Sequence, residues 1–403
     1  MSEEAGTEPT GAGRRRRWPW VVAIAALTVV ATFYVAGGLY FSDVLDERAL
    51  DAAALRAVTA EIDPDVEVMR LDDEAAPTPI VLRSLDGDLG VAAEGVQGLR
   101  WSDGYGRLTG TKQADDGTIE ASFDLVDGVP PALGTEAELD VRAYPMDPSE
   151  AGLSLQPQTV PGPLGDYPAW LGWATGQTWA IVVHGNSLSP ADGLRIVPIL
   201  TEAGFPTLVA TYRNDPGAPP DPSGKLRYGL TEWRDLEAMV RFALDRGSDG
   251  VVLAGYSMGG AVVMAFLQRS DLAGEVRGVI LDAPMLDFST TVDDNAAREE
   301  LPVIGLPLPR SLTSVAKWMA ARRFDVDWGE LDYLVDTSRY DTRFLVFHGT
   351  DDTTVPIGTS VEFAKLLPER VTLVSCTGAE HIGCWNLHPS WYRDAVRAFL
   401  GKG

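Results

Sequence analysis

Val251-Val252-Leu253-Ala254-Gly255-Tyr256-Ser257-Met258-Gly259-Gly260-Ala261-Val262-Val263-Met264 is the stretch that decides the fold. Its first four residues are apolar without a break, as a strand buried on both faces requires. Residues 259–269 read as a helix. Between the two lies Gly255-Tyr256-Ser257-Met258-Gly259, a G-x-S-x-G pattern. A strand that turns sharply into a helix lifts the serine hydroxyl clear of the sheet, and glycines leave room for that turn. In a chain with 41 glycines the pattern alone says little. The strand before it and the helix after it give it weight. Ser257 is the expected nucleophile; the alternative is an idle serine in a Gly-rich turn.

Outward from this point, strands and helices alternate. Residues 179–183, 207–212, 276–282, 344–347 and 371–375 read as strands. Residues 191–203, 231–246, 361–367 and 390–400 read as helices. The alternation predicts an α/β domain over residues 170–403, with a mostly parallel sheet covered on both faces.

A serine nucleophile needs a base, and the chain has four histidines: His184, His348, His381 and His388. In this architecture the order is Ser, acid, His. His184 precedes the serine, His348 ends a strand, and His388 opens the last helix. His381 sits in the loop after strand 371–375, where a side chain can reach the nucleophile. The acid must orient His381. Asp351 and Asp352 both follow strand 344–347, and spacing does not separate them; Asp282, after the preceding strand, is a third candidate. Two backbone donors are expected for an oxyanion. One is the N–H of Met258. The other is that of Asn186, with Ser187 as the near alternative, in the loop His184-Gly185-Asn186-Ser187.

With these pieces in place the chain resembles the α/β-hydrolase superfamily over roughly residues 160–403. The resemblance rests on His184-Gly185, on the run from Gly255 to Gly260, on His348-Gly349-Thr350-Asp351-Asp352-Thr353-Thr354-Val355-Pro356, and on Gly378-Ala379-Glu380-His381. The third is similar to the family's H-G-x-x-D-x-x-V-P stretch, which implies that Asp352 is the acid. The fourth is similar to its G-x-x-H. The chain looks closest to the branch of monoacylglycerol lipases and serine aminopeptidases.

The N-terminus reads as an anchor. Residues 1–17 form a polar tail ending in Arg14-Arg15-Arg16-Arg17. Residues 18–41 hold no charge and are long enough to cross a bilayer. The basic run is expected to stay cytoplasmic, which places the rest of the chain outside at the cell membrane. A cleaved signal and a buried helix are the alternatives. Residues 42–61 are expected to be a helical stalk leading away from the membrane. Residues 62–148 read as a small β region, with strands at 66–71, 79–83, 118–125 and 138–144, part of which could begin the hydrolase sheet. Residues 149–169 are rich in Pro and Gly and read as a linker. An insert at 285–340 resembles a cap. Its helix 311–323 presents Leu312, Val315, Ala316 and Met319 on one face, which suits an acyl chain or simple packing on the hydrolase body. Met258 and Trp385 are weaker pocket candidates. Cys376 and Cys384, eight residues apart, are expected to pair in an oxidising compartment.

Composition excludes other classes. A net charge of −25 argues against a nucleic-acid partner. Two cysteines make no zinc site, and no nucleotide fingerprint is present, so neither metal nor cofactor is expected. The expected activity is hydrolysis of a carboxylic ester of apolar or lipid-like character through an acyl-enzyme. A peptidase or amidase with the same residues is the alternative, and a binding protein with a vestigial site is a third reading.

Overall fold

This computed structural model describes residues 18–72, 77–85, 95–114, 117–144, 148–149, 152–187, 189–302 and 304–401. The expected tail 1–17 lies outside the described residues. The chain divides into two units. One joins the N-terminal helix to residues 296–325; the other comprises residues 47–295 and 326–403.

Helix α1 (Trp18–Leu45) is long and apolar enough, by length and composition, to cross a membrane. A π-helical turn follows at Asp46–Leu50, then α2 (Ala52–Ala60), capped by Asp51. The expected stalk does not lead away. Asp51 binds Lys225 at 2.8 Å, Leu226 N–H donates to the Leu50 carbonyl at 2.8 Å, and Arg56 donates to the Asn214 carbonyl at 3.0 Å. Apolar periodicity had suggested a free helix; these polar contacts fasten it to the larger unit.

Six antiparallel strands then close a barrel in the order β1-β2-β5-β4-β3-β6. They are β1 (Val66–Leu71), β2 (Thr78–Ser84), β3 (Gly95–Trp101), β4 (Gly104–Gln113), β5 (Thr118–Gly128) and β6 (Glu136–Asp140). Alternate residues point inward: Val66, Val68, Ile80, Leu82, Leu99, Leu108, Ile119 and Phe123 fill the interior. The barrel contributes no strand to the second sheet. The strand expected at 138–144 begins and ends earlier, and β3 and β4 were not expected.

The second sheet has eight strands in the order β14-β13-β12-β11-β9-β10-β8-β7. It begins with a hairpin, β7 (Leu155–Gly162) and β8 (Gly165–Gly172), where a linker was expected. Pro157 and Pro161 misled the reading; β7 is an edge strand, where a missing N–H is tolerated. The remaining strands run parallel: β9 (Trp179–Val183), β10 (Thr207–Ala210), β11 (Val251–Tyr256), β12 (Val276–Asp282), β13 (Phe344–Gly349) and β14 (Val371–Cys376). Helices α3 (Val197–Glu202), α4 (Trp233–Leu244), α5 (Met258–Arg269), α6 (Phe288–Ala296), α7 (Arg310–Arg323), α8 (Ile357–Leu366), α9 (Cys384–Leu387) and α10 (Pro389–Leu400) complete the chain. The strand order reverses at β9, with β10 on one side and β11 on the other. Loops at the carboxyl ends of strands flanking such a point are where α/β sheets build sites.

The insert 285–340 departs from the expectation of a cap helix facing an acyl chain or the hydrolase body. The apolar face of α7 packs on α1: Leu312 is fully buried in a cluster with Leu301 and Leu308, against Tyr34 and Phe41. A methyl at Gly37 would lie 3.0 Å from Leu312, and one at Gly38 would lie 2.7 Å from Val315. The Gly37-Gly38 pair thus lets the two helices approach closely.

Candidate active site

Ser257 occupies the turn between β11 and α5 with φ 49° and ψ −117°. An L-residue with positive φ of this kind is strained, and the surroundings must hold it there. Ser257 N–H donates to the Asp282 carbonyl at 3.0 Å, and its carbonyl accepts from Gly260 and Met285 at 2.9 and 3.0 Å. The motif glycines are sterically required. A methyl on Gly259 would meet the Val183 and His184 carbonyl oxygens at 2.2 and 2.4 Å; one on Gly255 would meet the Gly259 carbonyl at 2.8 Å. Met258 is the first residue of α5, so its N–H has no partner within the helix.

The loop after β9 runs beside the serine, with a methyl at Gly185 reaching within 3.2 Å of Ser257 Cβ. A buried polar network orients this loop. His184 Nε2 bonds Asp215 Oδ2 at 2.8 Å, and its Nδ1 faces the Gly185 carbonyl at 2.9 Å. Burial works against a charge on this ring, but Asp215 and both hydrogen bonds outweigh it and raise its pKa. Tyr212 also donates to the Gly185 carbonyl, at 2.6 Å. A trans peptide whose carbonyl is drawn inward sends its N–H, that of Asn186, the opposite way. Ser187 Oγ donates to Asp192 at 2.6 Å.

Asp352 lies after β13 and His381 in the loop after β14. The structure joins them: His381 Nδ1 lies 2.8 Å from Asp352 Oδ2. Asp352 Oδ1 accepts from Thr354 and Val355 N–H at 2.9 and 2.8 Å. Burial raises the Asp352 pKa, but the hydrogen bonds from His348 and His381 outweigh it, and the carboxyl ends well below the usual range. The other two acid candidates have different surroundings. Asp351 is exposed and accepts from Thr350 Oγ at 2.8 Å. Asp282 is buried; burial pushes its pKa up, and Arg195 opposes this. His348 bonds Ser360 and the Val355 carbonyl at 2.8 and 3.0 Å, while His388 precedes α10 without a side-chain cap bond.

Sequence reading missed the frame around His381. Arg195, fully buried, donates to the Ile382 carbonyl and to Asn386 Oδ1, both at 3.0 Å. Asn386 Nδ2 in turn donates to the Val96 and Val141 carbonyls at 2.6 and 2.8 Å. The barrel side of the larger unit is thereby tied to the residue next to His381. A lone arginine inside the apolar run Leu194-Arg195-Ile196-Val197 was the available signal. Cys376 and Cys384 are bridged, with Cα atoms 5.6 Å apart, and close the base of the same loop. Trp385 packs on Tyr144 at 6.3 Å between ring centroids, and Met258 is fully buried.

Residues 180–395, more than half of the chain, match the model of the alpha/beta hydrolase family. The chain belongs to that family. The hydrolase is 27% identical over 224 residues to the uncharacterized protein YfhR of Escherichia coli, in strains O157:H7 and K12; the match covers 55% of this chain and 69% of YfhR. Among solved structures it is similar to the esterase Pf2001 of Pyrococcus furiosus, with a TM-score of 0.51 and 18% identity, over 64% of the hydrolase and 95% of that chain. At that identity the likeness is one of fold.

Proposed function

We propose that this hydrolase is a membrane-anchored serine esterase in which Ser257 attacks, His381 is the base and Asp352 orients it. The observation that carries the reading is the bond between Asp352 and His381 Nδ1. A carboxylate only accepts, so Nδ1 keeps its proton and Nε2 is left basic. His381 would take the Ser257 proton as the acyl-enzyme forms and return it to the leaving group. The N–H groups of Met258 and Asn186 would hold the oxyanion, each lowering the barrier by roughly 2.7–4 kcal/mol. The substrate is an apolar or lipid-like carboxylic ester, of the monoacylglycerol-lipase-like kind. The name of the Pyrococcus furiosus esterase agrees with an ester as substrate.

Helix α1 is the anchor, with the tail 1–17 in the cytoplasm and the catalytic unit outside. The Cys376–Cys384 bridge suits that oxidising side. The test is labelling of the full chain by a fluorophosphonate, with rates on matched ester and amide substrates. Ser257→Ala should abolish both labelling and turnover with the fold retained. Near-normal ester turnover in that variant would remove the assignment, and faster amide than ester cleavage would make the protein an amidase.

A further inference from the structure

Residues 299–323 are an unusual partner for α1. They start with a tight hairpin, in which Leu301 N–H donates to the Leu306 carbonyl at 2.7 Å and Leu308 N–H to the Glu299 carbonyl at 2.9 Å. Its tip presents Ile304 and Leu306, 61% and 58% exposed, around Gly305 at φ 61°. Helix α7 follows. One face is buried on α1, while Trp318 on its flank is 56% exposed. In a chain of net charge −25, α7 has four basic residues, Arg310, Lys317, Arg322 and Arg323, and no acid. Glu299 and Glu300 stand at the base of the hairpin.

The level of this element along α1 is set by named contacts. Tyr34 Oη and Ser311 Oγ are 2.8 Å apart; Arg323 reaches Asp43 at 2.6 Å and also bonds Ser42. These contacts span positions 34 to 43. Helix α1 has 28 residues, so it is about 42 Å long at 1.5 Å per residue. A hydrocarbon core about 30 Å thick uses about 20 of them. If Trp18 and Trp20 mark the inner boundary, the outer boundary falls near Leu39, within the span of these contacts.

We propose that residues 299–323 are a second membrane-contacting element. The tip around Ile304 and Leu306, together with Trp318, enters the outer boundary of the bilayer beside α1. Arg310 and Arg322 meet the phosphates of anionic lipid headgroups. The occupant of this apolar surface is lipid, for two reasons. The surface continues that of α1, whose apolar side chains are exposed along its length. Its basic residues complement anionic headgroups, in a chain whose charge is otherwise strongly negative. The proposal rests on the reading of α1 as a membrane span, and the test separates the two.

Both native cysteines are bridged, so an introduced cysteine carries the only reactive thiol. Full-length Ile304→Cys, Trp318→Cys, Ile24→Cys and Val335→Cys are each labelled with an environment-sensitive fluorophore. They are then reconstituted in vesicles of phosphatidylcholine and phosphatidylglycerol. Ile24 reports on α1, and Val335, 79% exposed on the other unit, reports on water. The expected result is blue-shifted emission at 304 and 318, quenching there by lipids spin-labelled near the headgroup, and iodide quenching several-fold weaker than at 335. A label at 24 quenched from within the bilayer, with 304 and 318 as open to iodide as 335, overturns the proposal and leaves the anchor standing. An aqueous label at 24 overturns both. Labels at 304 and 318 shielded from iodide but untouched by the lipid quenchers would assign the surface to a second copy of the chain, and the proposal would fall.

Discussion

Asn386 joins the barrel to the loop that carries His381, and its replacement by leucine is the sharpest test of that connection. Asn386→Leu nearly keeps the volume and removes every polar atom. It strands two partly buried carbonyls, those of Val96 and Val141, and takes one of the two acceptors from Arg195. A buried group left without its partner costs about 1–3 kcal/mol, and a charged one more. Three such losses, partly relieved by relaxation, give about 3–6 kcal/mol. That is a large share of a total stability of about 5–15 kcal/mol. With a urea slope of roughly 3 kcal/mol per molar, the unfolding midpoint should drop by about 1–2 M. Tryptophan fluorescence reads the transition. Turnover measured well below that midpoint should also fall, because Arg195 holds Ile382 beside His381 with one anchor fewer. A midpoint shift below about 0.3 M, at the same slope, would refute the connection.

Asp352→Asn should lower turnover by about 10⁴-fold while Asp351→Asn changes it little, because an amide at 352 favours the wrong His381 tautomer; steady-state rates decide, and a reversal moves the acid to Asp351. Gly259→Ala should yield folded but inactive protein or none at all, since its methyl meets two backbone oxygens that cannot turn aside; fluorophosphonate labelling reads this, and normal labelling contradicts the geometry. Asp65 gives the pH prediction. Burial pushes its pKa up to about 6, above the unfolded value of 3.8, so the folded chain binds the extra proton and loses stability as pH rises from about 4 to about 6. Asp65→Asn should therefore gain on the wild type over that interval, by about 1 kcal/mol at neutral pH once solvent screening is allowed for; denaturation at pH 4 and pH 7 checks it, and an equal difference at both removes the explanation.

The sheet, and with it the position of the candidate site residues at its strand ends, was readable for one physical reason. A strand buried on both faces must be apolar throughout, and β9, β11, β12 and β13 are nearly so. The glycines at 255 and 259 were readable because no other residue fits. The choice between Asp351 and Asp352 was not, since adjacent carboxylates differ only in the direction their side chains take; similarity to a family had to decide it. The barrel was half-readable. Gly98, Gly104 and Gly106 made β3 and β4 look like loops. In the fold a methyl at Gly98 would collide with Tyr105 and one at Gly106 with Phe123, so these glycines make room for aromatic side chains. The apolar face of α7 was legible, but its partner was not: one stripe of Leu, Val, Ala and Met serves an acyl chain, a protein core or another helix equally well.

The pairing of α1 with α7 also bears on how the chain is made. Tyr34 and Ser311, which meet in the fold, are 277 residues apart. At a synthesis rate of about 5–20 residues per second, that distance is on the order of 15–50 s of translation. Throughout that interval the face of α1 with Gly37 and Gly38 lacks α7, which covers it in the fold. The smaller unit can therefore assemble only after most of the larger one has emerged. Helix α1 thus waits for a segment made much later, and the contacts of Asn386 with Val96 and Val141 close later still.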